Sequence, residues 1–150
     1  MNYYIIDGNN LIGKINKLWH LQKVDGQKAR EQLVFMLERY FAGKKVKVSL
    51  HFDGFPKDVI KTSKLKIIYS ENKTADDRIK NEIDIANNPK LITVVSSDLS
   101  VFNYAKANSC KRIKSEQFAK QLSGKKSGND EDDIIKSIDN DEMKKLFGIE

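Results

Sequence analysis

Acidic side chains follow the short apolar runs of this sequence, at or just beyond the points where those runs end. In "YIIDGNNLIG" the first run stops at Asp7, and a glycine and two asparagines come next. Later runs lead to Asp53, to the pair Asp76 and Asp77, and to Asp98. If the runs form parallel strands, their carboxyl ends meet at one edge of the sheet, where such sheets bind ligands. We therefore expect these carboxylates to share that edge.

Crowded carboxylates of this kind favour a bound divalent cation. Like charges at close range raise one another's pKa, and a cation placed among them relieves the repulsion. Oxygen ligands suit Mg²⁺ or Mn²⁺, whereas two histidines and one cysteine in the whole chain give little support for zinc. The chemistry that fits is metal-assisted attack of water on a phosphodiester, because the metal acidifies its bound water and stabilises charge on the phosphate.

Each acidic motif also has a purely structural interpretation. "DGNN" is typical of a turn, since Gly and Asn tolerate positive φ, and "DGF" at Asp53 is an ordinary strand-end turn. Thr74 can cap a helix whose first turn favours the acids that follow it. "SSD" can cap the next helix, with Ser97 at its start. The convergence of four motifs on one predicted edge favours the functional interpretation.

The bulk composition predicts a single soluble domain that attracts polyanions. The chain has 150 residues and a net charge of +6, from 27 Lys and Arg against 21 Asp and Glu. A lysine-rich composition alone also produces such a charge, so the excess indicates nucleic acid without proving it. No apolar stretch approaches the roughly 20 residues of a membrane span. The N-terminus is typical of a strand rather than a signal peptide, and Cys110 has no disulfide partner in the chain, so we expect a cytoplasmic protein without membrane contact.

The apolar runs alternate with helical patterns. The predicted strands are Tyr3–Ile6, Val46–Phe52, Leu65–Tyr69, Leu91–Ser97 and Cys110–Lys114. Helical periodicity covers residues 27–43, 74–89, 98–109 and 115–122. This alternation predicts a three-layer α/β/α fold with a central, mostly parallel sheet of about five strands. Residues 1–122 form the predicted domain, and residues 123–150 read as a charged linker followed by a short C-terminal helix.

Four motifs in this order resemble the YacP-like NYN domains of the PIN-like nuclease superfamily. They are "IIDGNNLI", "FDGF", "ADDRI" and "VVSSDLSV", and the resemblance extends over about residues 1–122. YacP-type proteins include ribosome-associated bacterial endoribonucleases. The resemblance therefore implies a PIN-like fold and a Mg²⁺- or Mn²⁺-dependent endoribonuclease, with mRNA and the ribosome as candidate partners.

The same resemblance assigns roles to individual residues. It implies that Asp7, Asp77 and Asp98 ligate the metal, with Asp7 central. Asn10 would orient the site or contact phosphate, and Asp76 would be catalytic together with its neighbour. Asp53 and Ser97 would support the residues that ligate the metal. One departure matters, because many relatives carry Glu two residues before the first Asp of "ADD", where this chain has Thr74.

Basic residues near these motifs are the candidate RNA contacts. We expect Arg78, Lys14 and Lys80 to bind phosphate, although solvated surface lysines are the simpler interpretation for most basic residues of the chain. Trp19 follows the first motif in a predicted loop, where it could stack on a base or pack on the core.

Two other classes of α/β protein fit the first motif less well. A phosphoacceptor receiver domain needs an acidic pair directly after its first strand, and a haloacid-dehalogenase-type phosphatase needs Asp-x-Asp there. The chain has Asp7-Gly8-Asn9 instead. The stronger alternative is a catalytically weak RNA- or ribosome-binding module of the same fold, which Thr74 favours. The sequence leaves the oligomeric state open.

Overall fold

A computed structural model describes residues 1–124, which contain a five-stranded parallel sheet of order β3-β2-β1-β4-β5. The strands are β1 (Asn2–Asp7), β2 (Val46–Phe52), β3 (Leu65–Tyr69), β4 (Ile92–Val95) and β5 (Lys111–Ile113). The chain adds β2 and then β3 on one side of β1. It then returns to add β4 and β5 on the other side of β1. The carboxyl ends of β1 and β4 therefore flank the switch point where this type of sheet binds ligands.

Helices cover both faces of the sheet, which confirms the predicted three-layer α/β/α fold. The helices are α1 (Gly8–Ile12), α2 (Asn16–Val24), α3 (Gly26–Phe41), α4 (Ala75–Asp84), α5 (Leu99–Ala107) and α6 (Ser115–Leu122). One core joins one face of the sheet to α1, α2, α3 and α6, and a second core joins the other face to α4 and α5. No helix within residues 1–124 has the length and apolar character needed to cross a membrane.

The central strand is buried on both faces because its side chains alternate between the two cores. Ile6 packs with the α3 side, and Ile5 packs with α4 and α5; both are fully buried. In α3, Leu33, Leu37 and Phe41 recur every four residues and are all inaccessible to solvent. The rigid core thus fixes the end of β1, where Asp7 lies.

The structure corrects the sequence prediction after Asp7. "GNNLI" forms α1, a helix that was not predicted, and Trp19 lies in α2 instead of the predicted loop. The short apolar spacing of Leu11, Ile12 and Leu18 gives no long helical repeat, yet all three are buried against the sheet. The predicted linker and C-terminal helix lie outside the described residues, apart from Ser123 and Gly124.

Candidate active site

Asp7 ends β1 at the switch point, and the residue is only 7% exposed. Burial raises its pKa from 3.8 to about 6, and the carboxylates of Asp53 and Asp98 add to this rise. The Ser96 hydroxyl and the Asn10 backbone N–H donate hydrogen bonds to Asp7, and these bonds offset part of the increase in its pKa. Three predicted acids therefore share one electrostatic environment.

Ser96 connects the end of β4 with both Asp7 and α5. Its buried hydroxyl donates to Asp7 Oδ2 at 2.9 Å and accepts the N–H of Asp98 at 3.0 Å. Asp98, and not Ser97, is the N-cap of α5, and its Oδ1 accepts the N–H groups of Ser100 and Val101. The cap uses Oδ1 of Asp98. The helix-cap interpretation and the metal-ligand interpretation of "SSD" therefore apply to the same carboxylate.

Asn10 is a positioning residue in this geometry. Its Oδ1 accepts the Ser97 N–H at 2.9 Å and the Ser115 hydroxyl at 2.7 Å, so α1 holds both the β4–α5 loop and the start of α6. Ser97 extends the network, because its Oγ accepts the Ser115 N–H and donates to the carboxylate of Glu116. The amide therefore fixes the wall of the site beside Asp98.

Asp53 is exposed and ties β2 to two helices. Its Oδ1 accepts the N–H of Ala75, the first residue of α4, and its own N–H donates to Asn9 Oδ1 at 2.7 Å. Arg30 on α3 holds the same turn, since it donates to the backbone carbonyls of Asp53 and Phe55. No sequence pattern indicated Arg30, which reaches the turn from a distant helix.

The acidic pair of α4 is less closely joined to Asp7 than the sequence suggests. Asp76 forms an ion pair with Lys80 at 2.9 Å, and the Lys80 ammonium also donates to Ser100 Oγ, next to the Asp98 cap. Asp77 is exposed beside Arg78, and its N–H is capped by Thr74. Neither acid is among the charges that shift the pKa of Asp7.

The three predicted metal ligands do not form a ready-made cluster. Within residues 1–124, no group of three or more His, Cys, Asp or Glu side chains is arranged to hold a metal ion. The donor chemistry still suits Mg²⁺ at Asp7 and Asp98, because this ion keeps several waters and usually takes one or two carboxylates together with a substrate phosphate. A cation would also stabilise the ionised form of a carboxyl group whose pKa is raised.

The predicted phosphate contacts separate into two places. Arg78 donates from Nε and Nη2 to the carbonyl of Ser70, so its guanidinium holds the end of β3. Lys80 is engaged by Asp76, as described above. Lys14 lies on the opposite helical layer and is exposed, and together with Lys114 it lowers the pKa of Glu116 after the larger effect of the Ser97 hydrogen bond.

Glu116 is an acid of this region that the sequence prediction missed. It lies in the first turn of α6, where an acid is explained by the helix dipole alone. The only available signal was its position just after the last strand, at the same edge of the sheet. Ser97 and Asn10 bring that helix end to the site.

Close packing, and not an unusual backbone conformation, requires glycine at position 8. It opens α1, and a Cβ there would lie 2.6 Å from the His51 carbonyl oxygen and 2.7 Å from the Phe52 ring. The absence of a side chain lets α1 start directly beside β2, which keeps Asn9 and Asn10 close to the strand ends.

Comparison with known proteins agrees with this fold. The family described as the YacP-like NYN domain matches residues 4–147. Two crystal structures of Rae1 (YacP) from Bacillus subtilis, one of them a point mutant, superpose with TM-scores of 0.70 and 0.68 at 23% and 22% identity. Each alignment covers 83% of this chain, and 76% and 75% of the respective Rae1 chains. At these identities the likeness concerns the fold. No curated protein sequence gives a significant match.

Proposed function

We propose that this chain, which belongs to the YacP-like NYN domain family, is a Mg²⁺- or Mn²⁺-dependent endoribonuclease that hydrolyses RNA phosphodiester bonds. The observation that carries the proposal is the buried Asp7 at the switch point of the sheet, with the carboxylates of Asp53 and Asp98 close enough to raise its pKa. Such a perturbed acid in a ligand-binding position is typical of a functional site.

Asp7 and Asp98 would hold the metal, because they end or follow the two strands that flank the switch point. When bound, the ion would supply an acidified water and neutralise charge on the scissile phosphate. Asp77, the remaining proposed ligand, and Asp76 lie outside the charges that influence Asp7. We therefore expect their substitution to reduce activity less than that of Asp7 or Asp98.

The other side chains of the site would position the reacting groups. Asn10, Ser96 and Ser97 hold the strand ends at fixed distances, and Asp53 holds the start of α4. Lys14, Arg78 and Lys80 are the proposed phosphate contacts. The net charge of +6 supports a polyanionic substrate, and we propose mRNA, with the ribosome as a candidate partner and the cytoplasm as the location.

One observation favours a second function, an RNA- or ribosome-binding module without strong catalysis. Residues 1–124 contain no preformed group of three metal-binding side chains. A weak metal site would leave binding intact and lower the rate of cleavage. An assay that follows both properties separates the two functions.

Incubation of the full chain with end-labelled RNA and Mg²⁺, Mn²⁺ or excess EDTA tests the proposal. We expect metal-dependent internal cuts that Asp7→Asn and Asp98→Asn each reduce about 100-fold or more, since a metal supplies several kcal/mol of transition-state stabilisation. Asparagine can still cap α5, so Asp98→Asn should keep the fold. Asp58→Asn, at an exposed position, is the matched control.

Two results would contradict nuclease activity. RNA that stays intact with every metal while remaining bound would favour the binding module. Cleavage that persists in both Asp7→Asn and Asp98→Asn would place the reaction elsewhere on the protein or in a contaminant.

A further inference from the structure

A groove of about 1000 Å³ runs along the helical layer beside the candidate site. It lies between the start of α2, the C-terminal half of α3 and α6, and we call it the α3–α6 groove. Apolar surface covers much of it, contributed by Ile15, Met36, Tyr40, Ala119 and Leu122. The Tyr40 hydroxyl donates to Gln121 Oε1, which holds α3 and α6 together along the groove.

The groove carries an excess of positive charge among the described residues. Among the described residues that line it, the cations are Lys14, Lys17, Arg39 and Lys120, and the one carboxylate is Glu116. All four cations are exposed, and none is within ion-pair distance of a carboxylate in the described part of the chain. The lining therefore has a net charge of +3, from four cations and one anion, which favours an anionic occupant.

One end of the groove opens at the candidate active site. Glu116 belongs to both, since it lines the groove and accepts the hydrogen bond from Ser97. Lys14 follows α1 directly and lies close enough to Glu116 to influence its pKa. A chain lying in the groove would thus reach the wall formed by Asn10, Ser97 and Asp98.

We propose that the α3–α6 groove holds a single-stranded segment of the RNA next to the cleavage site. The four cations would contact phosphates along its sides, and unpaired bases would lie against the apolar surface. A duplex hides its bases in the stack, so it cannot use that surface. The inference rests on the proposed function for the identity of the polyanion.

The RNA path along the α3–α6 groove differs from a path past Arg78 and Lys80. Both belong to α4 on the opposite face of the sheet, and both already have intramolecular partners, the Ser70 carbonyl and Asp76. Within residues 1–124 none of the four groove cations forms an ion pair, and Arg39 contacts only the ring of Phe35, so they can contact phosphate without breaking an ion pair there.

Binding of a fluorescent single-stranded RNA to the full chain in EDTA, followed by anisotropy across a range of salt concentrations, tests the inference. The groove variant carries Gln at Lys14, Lys17, Arg39 and Lys120. The control variant carries Gln at the exposed residues Lys28, Lys45, Lys90 and Lys106 and so has the same net charge. We expect the groove variant to bind RNA at least about tenfold more weakly than the control variant. The slope of its log binding constant against log salt concentration should decrease in magnitude by about 0.7 for each lost phosphate contact.

Wild-type protein should also bind single-stranded RNA more tightly than the corresponding duplex. If wild type binds RNA but does not cut it, and only the groove variant loses affinity, the endonuclease proposal fails and the groove inference stands. Equal affinity of the two variants, a preference for duplex, or no RNA binding by wild type would each overturn the inference. Equal affinity with a melting temperature lowered only in the groove variant would indicate that a protein segment covers the groove.

Discussion

At the scale of single residues, ionisation of Asp7 lowers the stability of the fold but is needed for the proposed function. Its carboxyl group is nearly inaccessible and lies near two other acids, so the ionised form is unfavourable in the fold without a cation. A folded pKa of about 6 against an ordinary 3.8 means that its stabilising contribution is complete below pH 3.8 and is lost as the pH rises through about 6. Proposed metal binding needs the same ionised form.

Asp7→Asn should therefore stabilise the metal-free protein at alkaline pH. At pH 8 we expect a gain of about 2 kcal/mol in the free energy of unfolding, because a shift of two pKa units corresponds to about 3 kcal/mol and the amide is an imperfect substitute. The gain should disappear near pH 4, where Asp7 takes up its proton. Urea unfolding of both proteins in EDTA at pH 4, 6 and 8 measures it, and a difference that does not vary with pH would show that Asp7 is not the titrating group.

At the scale of elements, buried contacts fix the helices to the strands. On the α4 side, Glu82 accepts hydrogen bonds from Tyr3 and Ser49 and lies 2.7 Å from His51 Nε2. Burial raises the pKa of Glu82 to about 7 and lowers that of His51 to about 4, so His51 is neutral near pH 7. On the α1 side, the contact is steric, because Gly8 lies against β2.

Gly8→Ala tests how tightly α1 must pack on β2. A methyl group there would meet the His51 carbonyl oxygen and the Phe52 ring well inside normal contact, so we expect a loss of about 3 kcal/mol in the free energy of unfolding. Gly26→Ala at the start of α3 is the control, since no described atom beyond the adjoining residues and the backbone of its own helix lies within 4 Å of its new Cβ. Equal stability of the two variants in urea would show that the β1–α1 junction relaxes freely.

At the scale of the whole molecule, the fold collects negative charge at one edge of its sheet on a chain of net charge +6. Asp7, Asp53 and Asp98 come from distant parts of the sequence and share their environment only in the folded state. A cation held by them would bind the native protein and not the unfolded chain, and would stabilise it by mass action.

Mg²⁺ should accordingly raise the melting temperature of the wild-type protein. At 100 times its dissociation constant we expect about 2.7 kcal/mol of stabilisation, equivalent to a rise of about 5–11 °C for a domain of this size. Asp7→Asn should show no such rise, and KCl at matched ionic strength controls for screening. Differential scanning calorimetry at pH 8 measures the shift, and an equal rise in wild type and variant would place the ion elsewhere.

The sequence predicted β2 and β3 to the residue and placed β1, β4 and β5 within two residues. It could not predict α1 and α2, since their short apolar spacings gain meaning only against the sheet that buries Leu11 and Leu18. It also missed Arg30 and Glu116, because both reach the strand ends through contacts with residues far away in the chain.

By itself, the sequence determined that acids follow parallel strands, because strand periodicity and the residue after each strand are local properties. Only the tertiary structure decided which acids share an environment: Asp53 and Asp98 with Asp7, while the first turn of α4 turns Asp77 outwards and pairs Asp76 with Lys80. The direction in which a helix presents its side chains depends on how its apolar face packs on the sheet. That packing involves residues from the whole chain, so no local pattern could have revealed it.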